Sequence, residues 1–552
     1  MKIRKAAVSA VLAFIFAAFT LTAAACTGSS GSADGSDSIH SSDSADGSDG
    51  ADSGEEEIVL RLVRDEYEVA VGESADIEIE LTQGGQALPT DGVRYASSDE
   101  EVMTAEGGKI TGVAEGDAVL TVTYGSLEET ASVRVYEHEI FVRLDCAAYD
   151  LLLDEASLGS AVVDAAAFED GAEISGAEIS YSVADPDIAE IAADGTLTAR
   201  AHGTTTLSAT YRDVTETAVV RVWANATQDQ VESFDEAYVN RFGRQYITNM
   251  GLHVDQVASG IELSFYGTEL TAEIYATAGI YVRVFVDGDE EGVFTFLKPG
   301  TDTYPVAQGL EEGIHTVRIL KSSEIYDGTL IFRSFSSEQF LRTQEKSSLK
   351  IEFVGDSITT GYGVLAHGGG RTVENSDATK SYAYLAAQAL GADFSCVAVQ
   401  GICVKAYHWQ RNINMTEIYD YISPLTKDPY DFSADADTDV IVLNLGTNEG
   451  SYINAGHADY ASAFPQDYAD FVRVLRERHP DAYIVCTYGM MGQNSLVDQG
   501  IRQAVQSMQD DKIIYLSSPV QDTSGANGHP DRTAQERFSD VLVMYIEELL
   551  GL

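Results

Sequence analysis

The sequence predicts a multidomain protein in which two β-sandwiches and a jelly-roll-like β domain precede a three-layer α/β domain with a parallel sheet. Three observations predict this order. The segment Tyr95–Val135 recurs as Tyr181–Val222, residues 224–343 alternate apolar and polar side chains, and short apolar runs alternate with helical patterns from residue 347. A chain of 552 residues is also too long for one hydrophobic core.

The N-terminus has the pattern of an export signal over residues 1–25. A basic start, MKIRK, precedes an apolar run, and small residues then lead to Cys26. This junction resembles a lipobox, which implies that Cys26 is the lipidated first residue of a bacterial lipoprotein anchored at the cell membrane. Ordinary secretion with Cys26 incidental is the alternative. Residues 26–57 are almost entirely Ser, Gly, Asp, Ala and Glu, and such a segment is predicted to be a disordered tether.

Charge and cysteine usage exclude several classes of partner. The chain has 88 acidic and 34 basic residues, a net charge of −54, which repels phosphate backbones and anionic headgroups and excludes nucleic acid as a partner. A neutral polysaccharide is compatible with this charge. The other cysteines show no CxxC spacing, so neither a zinc site nor a disulfide framework is indicated. They are expected to be buried free thiols: Cys146, Cys396, Cys403 and Cys486.

The repeated segment predicts two β-sandwich domains, at 58–136 and 137–223. The two copies align from their first tyrosine to their last valine with one inserted position. Alternating runs such as AVLTVTYG predict half-buried strands separated by Gly and Asp turns. Both copies resemble bacterial Ig-like domains of group 2, whose mark is the progression SSD…V…GxItG…G…L…Y. We interpret them as spacers, with carbohydrate binding or adhesion as the alternative.

Residues 224–343 predict a third antiparallel β domain, of the jelly-roll-like kind. Runs such as GIELSFYG, LTAEIYA and IYVRVFVDG alternate at period two and end in turn residues. Its many Tyr and Phe side chains are interpreted as core, because aromatic residues in strands usually pack inside. A sugar-binding platform is the alternative.

Residues 344–552 predict the α/β domain. The runs IEFV, FSCVAV, VIVLNLG, AYIVCTYG and KIIYL are short and almost wholly apolar, as buried parallel strands are. Helical stretches such as SYAYLAAQAL, QDYADFVRVLRERH and SLVDQGIRQAVQSM lie between them, and RTAQERFSDVLVMYIEELL closes the chain. In such sheets the chemistry gathers at the carboxyl ends of the strands.

Four positions at these strand ends carry the groups that acyl transfer needs. Ser357 follows IEFV, Gly401 follows FSCVAV, Asn448 follows VIVLNL, and His529 lies in a Gly-rich loop after KIIYL. A serine hydroxyl becomes a nucleophile when an imidazole takes its proton. The backbone N–H groups of Ser357 and Gly401 and the side-chain amide of Asn448 would stabilise the oxyanion. The structural alternatives are a turn hydroxyl, a helix cap for the histidine and a turn residue for the asparagine.

These blocks carry a resemblance. GDSITTGYG, the isolated Gly401, GTN and the late HP dipeptide resemble the successive blocks of the SGNH (GDSL-type) hydrolases. The closer resemblance, over residues 235–552, is to carbohydrate esterase family 2 (acetylxylan esterase-like), in which a small jelly-roll domain directly precedes the SGNH domain. The resemblance implies removal of acetyl groups from plant-wall polysaccharides such as xylan and mannan through a serine acyl-enzyme. It also implies that no metal or organic cofactor takes part.

The sequence departs from the SGNH pattern at one place. Those enzymes usually carry an aspartate three residues before the histidine, where this chain has Ala526. Some members of carbohydrate esterase family 2 work with a Ser–His dyad instead, which implies that a backbone carbonyl near Asn527 orients His529. Asp522, farther back in the same loop, is the alternative orienting acid.

Other residues near these blocks are given supporting roles. Asp356 is predicted to support the turn by hydrogen bonding rather than to act as a catalytic carboxylate. Tyr407 and Trp409 follow Gly401 closely and are candidates for stacking on a sugar ring. The other histidines of this domain match no block, and surface positions are predicted for the first two of them: His367, His408, His457 and His479.

Together these features predict a cell-surface carbohydrate esterase whose partner is an acetylated polysaccharide and whose only contact with the membrane is its lipid anchor. Two alternatives stay open. One keeps the chemistry and changes the substrate to the O-acetyl groups of peptidoglycan or to a lipid ester. The other is a surface glycan-binding or adhesion protein with a degenerate esterase domain.

Overall fold

The structure is a computed structural model, and it describes residues 57–153, 157–409 and 412–552. The predicted signal peptide, Cys26 and all but the last residue of the predicted tether lie outside the described residues. The chain divides into two units. The described part of the first unit runs to Arg143 and also includes Ala166–Ile179 and Tyr211–Val214. The second unit contains the described residues of Leu144–Ala165, Ser180–Thr210 and Thr215–Leu552.

The two repeated segments have strands in corresponding places. The strands of the first copy are β1 (Ile58–Leu62), β2 (Glu66–Ala70), β3 (Ser74–Asp76), β4 (Ile79–Gln83), β5 (Gln86–Ala87), β6 (Arg94–Ser97), β7 (Met103–Glu106), β8 (Lys109–Gly112), β9 (Gly116–Tyr124) and β10 (Leu127–Tyr136). The strands of the second copy are β11 (Ile140–Leu144), β12 (Ala148–Leu152), β13 (Ser160–Val162), β14 (Ala165–Glu169), β15 (Ala172–Glu173), β16 (Ser180–Val183), β17 (Ala189–Ile191), β18 (Thr196–Ala199), β19 (Gly203–Tyr211) and β20 (Val214–Trp223).

The sequence repeat is also a repeat of topology. The sheet β2-β10-β9-β6 of the first copy corresponds to β12-β20-β19-β16 of the second, and β3-β8-β7 corresponds to β13-β18-β17. In β9 every second side chain is buried, as Leu120 and Val122 are, because successive side chains of a strand point to opposite faces. Leu207 and Ala209 follow the same alternation in β19.

Residues from 225 to 341 form two antiparallel sheets around one apolar core. One sheet has the order β21-β32-β25-β30-β27-β28 with β22 paired to β25, and the other has the order β23-β24-β31-β26-β29. Phe265 and Phe332 belong to the common core, whereas Phe296 is half exposed. The strands are β21 (Asn225–Ala226), β22 (Asn240–Phe242), β23 (Tyr246–Thr248), β24 (Gly251–Val254), β25 (Gly260–Gly267), β26 (Leu270–Ala276), β27 (Ile280–Val286), β28 (Val293–Leu297), β29 (Gly300–Ala307), β30 (Gly313–Lys321), β31 (Leu330–Ser336) and β32 (Gln339–Leu341), with helix α1 (Gln228–Glu232) between the first two.

The C-terminal domain is the predicted α/β layer structure. Its strands are β33 (Lys350–Gly355), β34 (Asp393–Ala398), β35 (Val440–Asn444), β36 (Tyr483–Tyr488) and β37 (Ile513–Ser517). They pair in parallel in the order β34-β33-β35-β36-β37. Its helices are α2 (Tyr382–Ala389), α3 (Met415–Ile418), α4 (Thr447–Asn454), α5 (Phe464–Arg478), α6 (Ser495–Met508) and α7 (Arg532–Leu550).

Both faces of this sheet are covered, which explains why its strands are continuously apolar. Phe353 of β33 belongs to a core that includes α2 and α7, and its neighbour Val354 belongs to the core with α5 and α6. Within the described residues no helix is both long enough and apolar enough to cross a bilayer.

The free thiols differ from the expectation at one position. Cys396, Cys403 and Cys486 are buried, and burial raises the pKa of each thiol. Cys146 is exposed, so the prediction that it is buried is wrong. It lies in the short link between β11 and β12, where its side chain contacts the carboxylate of Asp145 rather than a core.

A buried ion pair joins the β domain to strand β33 of the α/β sheet. Arg244, which is fully buried, donates to the Glu352 carboxylate at 2.9 Å and to the backbone carbonyl of Tyr421 at 3.1 Å. Its guanidinium also lies over the rings of Tyr419 and Tyr430, 4.7 Å and 4.2 Å from their centroids. Removing one member of such a pair leaves an uncompensated charge in the interior.

Replacing Arg244 by methionine is therefore expected to lower the free energy of unfolding by about 3–5 kcal/mol. Arg502→Met, which removes the exposed pair with Asp498 on α6, is the matched control and is expected to change it by less than about 0.5 kcal/mol. Urea unfolding followed by tryptophan fluorescence measures both. Equal effects of the two substitutions would contradict the assignment.

Candidate active site

The fold brings the predicted strand-end residues to one place. The Ser357 Oγ lies 2.8 Å from the Nε2 of His529, although 172 residues separate the two in sequence. Asn448, in the first turn of α4, donates from its side-chain amide to the backbone carbonyl of Ile402, the residue after Gly401. The turns after β33, β34 and β35 and the loop before α7 thus meet at the carboxyl edge of the sheet, as parallel strands require.

The turn that carries Ser357 is held by its own backbone and by Asp356. The Asp356 carboxylate accepts from the backbone N–H of Ile358 at 3.0 Å, and the carbonyl of Ser357 accepts from Tyr362 and from the Thr360 hydroxyl. Burial raises the pKa of Asp356 to about 7, although the Ile358 N–H opposes this. Asp356 thus holds the turn, which is the structural role that the sequence analysis gave it.

A backbone carbonyl orients the imidazole of His529. The ring Nδ1 lies 3.2 Å from the carbonyl oxygen of Ala526. A carbonyl only accepts, so Nδ1 carries the proton and the lone pair of Nε2 faces the serine hydroxyl. The sequence predicted an orienting carbonyl near Asn527, and the structure has the hydrogen bond at Ala526, the residue before it. Residues 526–528 form a tight 3-10 turn in which Asn527 is left-handed, with a φ of 51°, and this turn brings the preceding carbonyl to the ring.

Burial keeps this imidazole neutral. Desolvation lowers the pKa of His529 to about 4, although the carbonyls of Ala526 and Asn527 favour the charged ring. Tyr362 covers one face of the ring with a centroid distance of 4.1 Å and an angle of 26° between the planes. The Asn527 side chain donates to the Tyr362 hydroxyl at 2.8 Å, so the same loop positions both rings.

Close packing occupies the position where SGNH enzymes usually have an acid. Ala526 is fully buried, and a Cβ added to Gly363 would lie 2.3 Å from the Ala526 Cβ. Gly363 has a φ of +60°, so glycine is required there for its backbone as well as for this contact. A carboxylate at position 526 would be buried against this turn without water.

The alternative acid, Asp522, is engaged elsewhere. Its carboxylate accepts from the N–H of Ser524 at 2.9 Å, from the Ser524 hydroxyl at 2.7 Å and from the N–H of Asp531 at 3.1 Å. Burial would raise the pKa of Asp522, but these hydrogen bonds outweigh burial and lower it. Asp522 shapes the loop that carries His529 and does not contact the imidazole among the described hydrogen bonds.

Two backbone N–H groups are free to receive an oxyanion. Among the described residues no acceptor is bonded to the N–H of Ser357 or of Gly401. Asn448 differs, because its amide nitrogen donates to the Asp356 carboxylate at 3.1 Å and to the Ile402 carbonyl at 2.9 Å. Both of its N–H groups are therefore used in holding the turns that carry Ser357 and Gly401. To act as a third oxyanion donor, Asn448 must share one of them.

The loop that carries Gly401 has a second buried support. Glu449, which follows Asn448 on α4, accepts from the backbone N–H of Val404. Burial raises the pKa of Glu449 to about 7. Glu449 and Tyr362 were not among the site residues predicted from the sequence. Tyr362 lies inside the GDSITTGYG block, and Glu449 directly follows GTN.

Trp409 lies beside the loop that carries Gly401, whereas the Tyr407 hydroxyl is bonded to Glu417. A Cβ on Gly401 would lie 3.5 Å from the Cβ of Trp409, and the Trp409 side chain is mostly exposed. Tyr407 is also exposed, and its hydroxyl donates to Glu417. The geometry thus leaves Trp409 as an exposed aromatic ring next to the oxyanion-hole loop.

The remaining histidines have structural contacts. His367 is exposed and lies 3.5 Å from the Asp531 carboxylate, and His457 stacks on Tyr452 at 4.0 Å. His479 is buried and lies 3.0 Å from the hydroxyl of Tyr419. His408, for which a surface position was predicted, is half-buried, and its ring packs against Trp409 and Tyr452. No group of His, Cys, Asp and Glu side chains with the arrangement of a metal site occurs in the described part of the chain.

Two parts of the second unit match models of known protein families. Residues 242–345 match the family model described as carbohydrate esterase 2 N-terminal. Residues 353–540 match the model of the GDSL-like lipase/acylhydrolase family. The first covers most of the β domain and the second covers the α/β domain, including Ser357 and His529.

Curated relatives and solved structures agree with these matches. The chain is 30% identical over 308 residues to the cellulase/esterase CelE of Acetivibrio thermocellus, covering 53% of this chain but only 37% of that protein. It is 25% identical to an acetylxylan esterase / glucomannan deacetylase of Cellvibrio japonicus, covering 84% of that protein. A family two carbohydrate esterase from Clostridium thermocellum, solved in complex with cellohexaose, superposes with a TM-score of 0.52 at 27% identity, over 57% of this chain and 99% of that one.

The depressed pKa of His529 predicts the acid limb of the pH profile. As the pH falls through about 4, the ring takes a proton at Nε2 and can no longer accept the serine proton. We expect the His529 limb of kcat/KM for 4-nitrophenyl acetate to lie near pH 4, with the rate level above about pH 5 in a variant whose residue 356 does not titrate. Recovery of activity on return to neutral pH separates this titration from acid unfolding.

Asp356→Asn is the control for that profile, because the Asp356 carboxyl would titrate near pH 7. The limb near pH 4 should persist in this variant. A limb near pH 6.5, the value of an unperturbed histidine, would contradict the buried neutral base.

Removing Asp522 tests whether a carboxylate orients the histidine. Asp522→Ala is expected to keep kcat within about tenfold of wild type, whereas removal of a triad acid costs about 10⁴-fold. Ester hydrolysis at saturating substrate measures this. Ser524→Ala, which removes one of the hydrogen bonds to Asp522, controls for the loop shape, and a loss of several orders of magnitude in the Asp522 variant alone would disprove the dyad.

Proposed function

We propose that this chain is a serine carboxylic-ester hydrolase that deacetylates polysaccharides of the plant cell wall. Its match to the carbohydrate esterase 2 N-terminal model lies directly before its match to the GDSL-like model, and family 2 carbohydrate esterases are among its relatives. The observation that carries the proposal is the 2.8 Å contact between Ser357 Oγ and the unprotonated Nε2 of His529. Acetylated xylan and mannan are the proposed substrates, in keeping with the relatives' names.

The first half of the reaction makes an acetyl-enzyme. The Ser357 oxygen attacks the acetyl carbonyl carbon while the Nε2 of His529 takes the hydroxyl proton. The negative charge that develops on the carbonyl oxygen is stabilised by the N–H groups of Ser357 and Gly401. The tetrahedral intermediate then breaks its bond to the sugar oxygen, which leaves with the proton held by His529.

The second half regenerates the enzyme. Water enters where the sugar hydroxyl left, and His529 takes one of its protons as the oxygen attacks the acetyl carbon. The second tetrahedral intermediate uses the same N–H groups. It breaks the bond to Ser357, whose oxygen recovers the proton from His529, and acetate is released. Throughout both halves the Ala526 carbonyl holds the Nδ1–H and stabilises the charged ring.

The proposed location follows from the parts of the chain outside the catalytic unit. A lipid on Cys26, followed by the polar tether, would anchor the protein at the outer face of the cell membrane. The two repeated β domains, which we propose to be Ig-like spacers, would then hold the esterase away from the bilayer and near insoluble polysaccharide. The net charge of −54 is compatible with a neutral glycan surface.

Acetate release from a panel of polymers tests the substrate class. We expect wild-type protein to release acetate from acetylated xylan and glucomannan faster than from O-acetylated peptidoglycan, and Ser357→Ala to lose at least about 10⁴-fold of this rate. Asp540→Ala, on the exposed face of α7 and outside the site, is the matched control. Preference for peptidoglycan would reassign the substrate, and a folded wild type inactive on every ester would favour a binding protein.

A further inference from the structure

A turn of the β domain enters the catalytic domain. The turn joins β30 to β31 and contains a 3-10 helix at Ile325–Asp327. Ile325 is buried, and it belongs to the hydrophobic core of the α/β domain together with Val399 and Ile402, which flank Gly401 in sequence. One residue of the β domain is therefore part of the core beneath the oxyanion-hole loop.

Glu324, directly before this 3-10 helix, holds the backbone of that loop. Its side chain is 2% exposed. One carboxylate oxygen accepts from the backbone N–H of Gln400 at 3.1 Å, and the other accepts from the N–H of Tyr326 at 2.8 Å. Gln400 immediately precedes Gly401. The Val399–Gln400 peptide group, directly before the one that carries the Gly401 N–H, is thus bonded to a carboxylate from the β domain.

The carboxylate of Glu324 is itself fixed in place. The fully buried ammonium of Lys321 donates to the backbone carbonyls of Asp255, Ser323 and Glu324, at 2.8, 3.0 and 3.2 Å. The N–H of Glu324 donates to the Asp327 carboxylate at 3.1 Å. Hydrogen bonds thus fix both the backbone and the carboxylate of Glu324, as a positioning group requires.

The same turn also supports the histidine side of the site. The Asp327 carboxylate accepts two hydrogen bonds from the guanidinium of Arg371, one of them at 2.7 Å. Arg371 lies 5.7 Å from the centroid of Tyr362, the ring that stacks on His529. Glu324 and Asp327 therefore brace the oxyanion-hole loop and the covering tyrosine from one short segment.

We propose that the turn 322–327 of the β domain is a working part of the active site, in which Glu324 is a positioning residue that aims the Gly401 N–H at the oxyanion. The inference rests on the proposed esterase function. Together with Glu449, which holds Val404, Glu324 fixes the loop at both ends, so the β domain cannot be removed without loosening the oxyanion hole.

The physical reason is the sensitivity of transition-state stabilisation to geometry. The Gly401 N–H lies in the Gln400–Gly401 peptide group, whose direction is set by the backbone of Gln400, and Glu324 holds the other peptide group of Gln400. A displacement of about 1 Å at a reacting group costs about 10²-fold in rate. The oxyanion forms only on the way to the tetrahedral intermediate and not in the bound ester, so loss of Glu324 should lower kcat with little change in KM.

The test compares three variants of the full-length protein on 4-nitrophenyl acetate. Glu324→Ala removes the acceptor of the Gln400 N–H and is expected to lower kcat by about 10- to 100-fold, with KM within about twofold. Glu324→Gln keeps one acceptor oxygen for the two donors and is expected to lose about 3- to 10-fold. Glu291→Gln, whose carboxylate joins another turn of the β domain to Lys380 and Arg532, is the matched control and is expected to keep wild-type kcat.

Affinity for methylboronic acid, which forms a tetrahedral adduct on serine, supplies the readout that a merely structural role would not change. Its Ki should rise in each Glu324 variant in proportion to the fall in kcat, while binding of deacetylated xylan stays unchanged. If Glu324→Ala does not fold, Glu324→Gln decides. Wild-type kcat and boronate affinity in folded Glu324→Gln, or an equal loss in Glu291→Gln, would overturn the proposal. Wild-type protein that binds the boronate but deacetylates no polysaccharide would refute the substrate assignment and leave this test intact.

Discussion

The site depends on the hydrogen bond between the Nδ1 of His529 and the backbone carbonyl of Ala526. This bond selects the tautomer whose Nε2 can accept the proton of Ser357, and a fixed peptide dipole replaces the carboxylate that most serine hydrolases use. At the position where SGNH enzymes usually have an acid, the buried Ala526 lies directly against Gly363. The turn with left-handed Asn527 is thus the support of the base.

Buried carboxylates in this domain hold backbone rather than carry out chemistry. Asp356 accepts from the N–H of Ile358, Glu449 from Val404 and Glu324 from Gln400. A buried N–H left unpaired costs about 1–3 kcal/mol. Each carboxylate therefore restricts a turn that carries Ser357 or Gly401. Stiff turns keep the N–H donors aimed before substrate arrives, so little reorganisation is needed in the transition state.

Local patterns predicted much of the fold and the main site residues. The apolar runs of the parallel strands lie where the structure has β33–β37, because strands buried on both faces are continuously apolar. The period-two runs of the β domain lie where it has β25–β31, because strands buried on one face alternate apolar and polar residues. Ser357 and His529 follow from short motifs at strand ends. The contacts of Glu324 with Gln400 and of Asn448 with Asp356 could not be predicted, because they join residues 76 and 92 positions apart and depend on how turns pack. The hydrogen bond from the His529 ring to the Ala526 carbonyl likewise depends on a turn with one left-handed residue.

The central claim is that a backbone carbonyl holds His529 as the Nδ1–H tautomer in the resting protein. Nitrogen NMR of protein labelled with ¹⁵N-histidine tests it most directly, with the His529 signals identified by their absence in His529→Gln. At neutral pH the account predicts a neutral ring with the proton on Nδ1 and a bare Nε2. A ring protonated on Nε2, or an imidazolium at neutral pH, would contradict it.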